Sequence, residues 1–236
     1  MIDSTAMQST SYGWLMLAGI AVSIVLWTRL ARRDDRLILV YVAALLGAFA
    51  GAKLAYFFAE GWRDFGQPNQ WLRLATGKSI LGALLGGYGA VELAKWWIGY
   101  RRVTGDWFAF VAPVGIILGR VGCWLHGCCL GHECEPGWFT VRDAVGVVRW
   151  PAVPVEILFN LLVLIVFFCL RGARHFRGQL FHLYLIAYGL FRFVHEFVRD
   201  TPRVAGPISG YQFIALGVAG FGVAAFWRRQ RAQHPL

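Results

Sequence analysis

Residues 152–170 read AVPVEILFNLLVLIVFFCL, with a single carboxylate, Glu156, and no basic residue. A helix needs roughly 20 mainly apolar residues to cross the hydrocarbon core of a bilayer. In lipid, a spanning segment must satisfy its backbone groups internally, so such a run is read as a helix. Six further stretches match it in length and character: 11–28, 38–58, 79–98, 106–125, 179–197 and 209–227. The expected fold class is therefore all-α, a polytopic membrane helix bundle of seven transmembrane helices. Residues 1–236 would form a single transmembrane domain with one short outer loop at 126–150.

Composition agrees: 58% of residues are hydrophobic and 15% charged, a profile foreign to a soluble domain. The net charge of +10 comes from bases set between the apolar runs. No basic-aromatic surface stands apart from the spans, so no nucleic-acid partner is expected. Counted by loop, one set holds twelve Lys and Arg and the opposite set seven. The richer side should be cytoplasmic, which places the N-terminus and the 126–150 loop outside and the C-terminus inside. No base precedes Arg29, so the first span is expected to stay as an anchor. GAFAGAK (47–53) and GALLGGYG (82–89) carry small residues that let membrane helices approach closely, and they read as packing faces.

Apart from Asp106 at the first position of its span, seven charges fall inside the proposed spans: Lys53, Glu92, Lys95, Arg120, Glu156, Arg192 and Glu196. A charge at membrane depth costs a few kcal/mol even on lenient scales, so such residues face a protein interior or a wet cavity. Lys95 is read as snorkelling to the inner interface, and the others as lining a polar cavity. In YLIAYGLFRFVHEFVRD (184–200), Tyr188, Arg192 and Glu196 recur every four residues and share one helix face. Their stripe, with a second buried arginine at 120, suggests an anion site, because guanidinium is a planar clamp for phosphate oxygens.

Arg120 opens GRVGCWLHGCCLGHEC (119–134), with four cysteines and two histidines behind it. By residue type Cys123, His126, Cys128, Cys129, His132 and Cys134 could close a zinc site, but CxxHxCC is not a regular finger spacing. Facing an oxidising compartment, the loop is expected to carry a disulfide from Cys134 to Cys128 or Cys129, and no metal. Cys169 reads as a small core residue.

These residues resemble the prolipoprotein diacylglyceryl transferases of bacterial inner membranes. The family signature GRxGNFxNGExxG meets GRVGCWLHGCCLG here, keeping Arg120, Gly122, Gly127 and Gly131. The family's YGxxRFxxEFxR meets YGLFRFVHEFVR, carrying over Tyr188, Arg192, Glu196 and Arg199. Tyr12 and Gly13 match an early tyrosine-glycine pair, PAVPVE keeps Pro151 and Glu156 of PSQLYE, and GKSILGALLGG (77–87) is similar to the family's glycine-rich third span. The resemblance implies transfer of diacylglyceryl from phosphatidylglycerol to the lipobox cysteine thiol of a preprolipoprotein, forming a thioether. It implies Arg120, Arg192 and Glu196 as catalytic residues, and the nearby His126, a departure from the family, is added to them as the candidate base. Tyr12, Gly122, Gly131, Glu156, Tyr188 and Arg199 would bind substrate. The implied partners are phosphatidylglycerol, lipobox preprolipoproteins and membrane lipid, with no cofactor, in the inner membrane.

The chain also departs from the family. The histidine of SFHGGL falls on Leu81, the signature asparagines on Cys123 and His126, and the glutamate on Cys128, and the outer loops are short. His126 is the histidine nearest Arg120 in sequence, of a type that titrates near neutral pH. His195 lies about 100° round the helix from Glu196 and is read as facing elsewhere. Two other function classes remain: a membrane thiol-redox protein using Cys123–Cys134, and a non-enzymatic phospholipid-binding or transport scaffold. No P-loop, dinucleotide fingerprint, HExxH or GxSxG occurs.

Overall fold

The computed structural model describes residues 4–31, 34–173 and 176–233; the side chains of 4–13, 15, 16, 30, 31 and 233 lie outside that description. Tyr12 and Gly13 therefore sit on a described backbone without described side chains. Three bases of the orientation count, Arg32, Arg33 and Arg174, fall outside it altogether.

The chain is all-helical apart from two small hairpins. Its helices are α1 (Ser4–Ala31), α2 (Arg36–Ala59), α3 (Gln70–Thr76), α4 (Ile80–Trp97), α5 (Gly105–His126), α6 (Ala152–Leu170), α7 (Leu180–His195) and α8 (Gly210–Gln233). Short 3-10 turns follow α2 and α7, at Gly61–Asp64 and Glu196–Val198. Among the described residues, four helices are long and apolar enough to cross a membrane: Arg36–Ala59, Gly105–His126, Ala152–Leu170 and Gly210–Ala232. α1, α4 and α7 occupy the other three segments read from the sequence.

The glycine-rich faces of α2 and α4 pack on each other. A Cβ on Gly51 would overlap the Gly82 carbonyl, and a Cβ on Gly82 the Gly51 carbonyl. Backbone therefore meets backbone along this seam, the close approach that small residues permit in a bilayer. Gly82→Val is expected to force the two helices apart and destabilise the fold by about 1–3 kcal/mol, as overpacking does. A melting temperature in detergent unchanged from wild type would contradict this seam.

Three charges of the proposed spans, Lys53, Glu92 and Lys95, serve local structure. The Lys53 ammonium donates to the carbonyls of Leu74, Ala75 and Gly77, the last two acceptors closing the end of α3. Lys95 pairs with Glu92 at 2.8 Å and is itself buried. Cys169 is exposed on α6, outside the core where it was expected.

Three connections meet at one end of the bundle: 60–79, 127–151 and 196–209. Tyr211 donates to Glu60 (2.9 Å), Arg63 to the Arg203 carbonyl (3.2 Å), and the His132 amide to the Val198 carbonyl (2.9 Å). Two antiparallel hairpins, β1 (Val141–Arg142) with β2 (Val148–Arg149) and β3 (Arg203–Ala205) with β4 (Ile208–Ser209), stiffen these loops. In the first hairpin the Arg149 guanidinium, 2.7 Å from Asp143, holds that carboxyl below the usual carboxylate range, helped by the Val147 and Val145 amides. The core lies between α7, α8, α4 and α5, around Leu81, Tyr184, Leu185, Tyr188 and Ala215.

Candidate active site

α6 begins directly after Pro151, where a fixed φ and a missing N–H suit a helix entry. Five residues on, Glu156 is fully buried, and its carboxylate is the centre of the site. Oε2 lies 2.9 Å from Arg120 Nε on α5, 3.5 Å from Arg192 Nη1 on α7 and 3.9 Å from Arg199 Nη1 beyond α7. Oε1 accepts from the Tyr188 hydroxyl at 2.7 Å. A second carboxylate, Glu196, takes Arg192 Nη2 at 2.8 Å and lies 3.6 Å from Arg199 Nε, with Ser209 donating to it at 3.4 Å.

The four-residue spacing on α7 places Tyr188, Arg192 and Glu196 on one face, and the following 3-10 turn brings Arg199 back over it. Arg199, one of the seven bases on the poorer side of the loop count, is buried within the cluster. Around this cluster, Asn160 donates to the Glu156 carbonyl (2.8 Å) and accepts from Tyr184 (2.7 Å), tying α6 to α7. Asn160 was legible as a polar residue one helical turn after Glu156 in an apolar run. Ser209 and Tyr211 carry no such signal, because only the fold brings β4 and the start of α8 to the site.

All five charged side chains are nearly inaccessible. Burying each ion costs several kcal/mol unless pairing and hydrogen bonds repay it. Pairing here is extensive, but three guanidiniums face two carboxylates, so one positive charge is left over. Several donors also lack an aligned acceptor: Arg120 Nε, Arg192 Nε, and Arg199 Nε and Nη1. Arg120 Nε is close to Glu156 without its N–H pointing along the contact, so the pair is ionic and not a formed hydrogen bond. Glu60, held by Tyr211 and flanked by Asp64, is pushed above the usual carboxylate range by burial.

The remaining candidates take different places. Gly122 is buried on α5 about half a turn past Arg120. Gly131 is buried where Trp150 passes, leaving no room for a Cβ, and it bridges to Arg199, so it supports the site's backbone. His126 ends α5 exposed, about 240° around the helix from Arg120 and off its buried face. Leu81, at the position of the family histidine, is sealed in the apolar core. His195 is buried and stacked on Phe191 at 4.8 Å, with neither ring nitrogen hydrogen-bonded.

The expected Cys134 disulfide is not formed. All five cysteines are free, and the sulfurs that gather are those of Cys123, Cys128 and Cys129. The Cys134 amide bonds the Val148 carbonyl, and His132 turns to Arg203 Nη2 at 2.6 Å. Strand-like pairing of 131–134 with 148–150 carries Cys134 away from the helix end, which spacing alone did not reveal.

A sequence model described as prolipoprotein diacylglyceryl transferase matches residues 2–228. The chain is 27% identical over 230 residues to a phosphatidylglycerol–prolipoprotein diacylglyceryl transferase of Clostridium tetani, covering 91% of each chain. It is 29% identical to one of Dehalococcoides mccartyi, covering 94% of this chain and 90% of that one. A third, from Campylobacter curvus, is 30% identical over 79% of this chain and 69% of its own length. With a match running through Arg120, Glu156 and the whole Tyr188–Arg199 face, this chain belongs to the prolipoprotein diacylglyceryl transferase family, a family of transferases that mature lipoproteins.

Proposed function

We propose that the chain transfers diacylglyceryl from phosphatidylglycerol to the thiol of a lipobox cysteine in a preprolipoprotein. The observation that carries this reading is the buried Arg120–Glu156–Arg192–Glu196–Arg199 cluster, with its surplus positive charge and incompletely bonded guanidinium donors. Such donors suit the oxygens of a lipid phosphate. The acceptor sulfur attacks a glycerol carbon, a C–S bond forms, and the C–O bond to phosphate breaks, its electron pair leaving with glycerol phosphate. Negative charge grows on the departing phosphate, where preorganised cations lower the barrier. Arg120 and Arg192 clamp that phosphate. Glu196 and Tyr188 orient Arg192 and Glu156, and Arg199 adds to the positive field. Mass spectrometry of a lipobox peptide incubated with phosphatidylglycerol and the purified protein tests the reading. A peptide heavier by one diacylglyceryl supports it, and bound but unconsumed lipid favours the scaffold reading.

A second reading, thiol–disulfide exchange, draws on the 3.8 Å separation of the Cys123 and Cys129 sulfurs. It requires that activity survive loss of Arg120.

The protein is proposed to lie in the bacterial inner membrane as a seven-span bundle, N-terminus outside. The clustering of the 60–79, 127–151 and 196–209 connections at one end supports this alternation of helices. A cysteine placed at position 140, in the exposed loop, should be labelled by an impermeant reagent in intact spheroplasts, at least tenfold faster than one at position 101. Labelling at 140 only after permeabilisation reverses the orientation.

A further inference from the structure

The sulfurs of Cys123, Cys128 and Cys129 all lie within 4.8 Å of one another at the end of α5. Cys129 to Cys123 is 3.8 Å. Helix periodicity alone does not produce this. The Cys128 amide closes the helix on the Cys123 carbonyl, and Gly127 (φ 69°) and Cys129 (φ 62°) then turn the chain left-handed. A non-glycine residue held there costs about 1–3 kcal/mol, and such strain gathers at functional sites.

The spacing has a chemical meaning. Zinc–thiolate bonds are about 2.3 Å, so two sulfurs on a tetrahedral ion stand about 3.8 Å apart. Three ligands without a fourth leave one position open, the pattern of catalytic and not structural zinc. Of the other loop residues of ligand type, His132 is directed to Arg203 and the Cys134 segment to Val148. Three thiolates on a divalent ion carry one net negative charge, and Arg120 Nη1 lies 4.0 Å from the Cys123 sulfur to offset it. Cys123 and Cys128 replace the asparagine and glutamate of the family signature, while Leu81 replaces its histidine.

We propose that Cys123, Cys128 and Cys129 bind one zinc-type divalent cation whose open position takes the acceptor thiol as thiolate, beside the phosphate clamp. This rests on the transfer reading above. On coordination the thiol proton passes to water, as a metal-bound thiol is deprotonated outright. The thiolate then forms the C–S bond as phosphate departs, and the resulting thioether, a weak ligand, is released. No oxidation or reduction takes place.

The test uses the full chain in detergent, reduced, stripped of metal and given Zn²⁺ or Co²⁺ alone. About one equivalent should be retained, and the Co²⁺ form should show thiolate charge-transfer absorption with tetrahedral d–d bands. A cysteine peptide of lipobox type should shift those bands, and its serine counterpart should not. Cys129→Ser should weaken binding by more than about 100-fold, beyond what outer-shell losses cause, while Cys134→Ser keeps it. Failure of the reduced wild-type chain to retain metal overturns the proposal, as does a native Cys123–Cys129 disulfide that binds none after reduction. Full transfer by metal-free protein overturns it too. Retained metal and a peptide-dependent shift without any lipid transfer would support the site while removing the transfer reading on which its role rests.

Discussion

Arg120→Lys should lose nearly as much turnover as Arg120→Ala, roughly 30- to 1000-fold, or about 2–4 kcal/mol of transition-state stabilisation. Arg120 has two tasks. Its Nε faces Glu156 at 2.9 Å, while its far end reaches toward the cysteine sulfurs, 4.0 Å from Cys123. A guanidinium fork can serve a carboxylate on one edge and a phosphate on another. An ammonium is a single point of charge and must choose. Because Glu156 is already buried and waiting, lysine would pair with it and leave the phosphate. The effect should therefore fall mainly on kcat with a lipobox peptide. Arg142→Ala, on an exposed hairpin where the side chain reaches the Gly146 carbonyl, should stay within twofold of wild type. Near-normal turnover by folded Arg120→Lys would sink the phosphate clamp.

Glu156→Gln is expected to damage stability as well as activity. The side chain is fully buried and neutralises part of three guanidiniums at 2.9, 3.5 and 3.9 Å. Removing one partner of a buried ion pair typically costs about 3–5 kcal/mol, because the charges left behind have no solvent to turn to. For a chain of this size that corresponds to a fall of roughly 6–20 °C in melting temperature. Removing Arg199 in the same molecule, as Glu156→Gln with Arg199→Gln, should recover part of the melting temperature and none of the turnover. Glu196→Gln should do comparable harm to turnover by releasing Arg192 from its 2.8 Å contact, with Ser209 still present as a neutral partner. A Glu156→Gln protein that melts within about 2 °C of wild type would show that this carboxylate does not hold the cluster together.

Much of the molecule is legible one helix at a time. The apolar runs announce the helices because bilayer thickness and backbone hydrogen bonding fix the length and form of any segment that crosses lipid. The same logic marks Arg120, Glu156, Arg192 and Glu196 as residues that must answer for their charge, and helical periodicity puts Tyr188, Arg192 and Glu196 on one face. Loops are less legible. α3 has only seven residues, and Lys53, some twenty positions earlier, completes its end. Nothing local to 70–76 indicates that support.

What the sequence determined by itself is a set of apolar helices, the polar residues they bury, and membership of a family through motifs that keep those residues in order. What only the tertiary structure decided is which of them meet. Glu156, a lesser candidate on its own helix, became the centre because α5 and α7 present arginines to it from two sides. Arg199 moved from a loop charge to a buried partner, and Cys123 joined Cys128 and Cys129 while Cys134 was drawn off by backbone pairing. The physical reason is common to all three. Periodicity sets the direction of a side chain relative to its own helix, whereas the rotation and separation of neighbouring helices come from packing, here from glycine seams and hairpin contacts that join residues far apart in the chain.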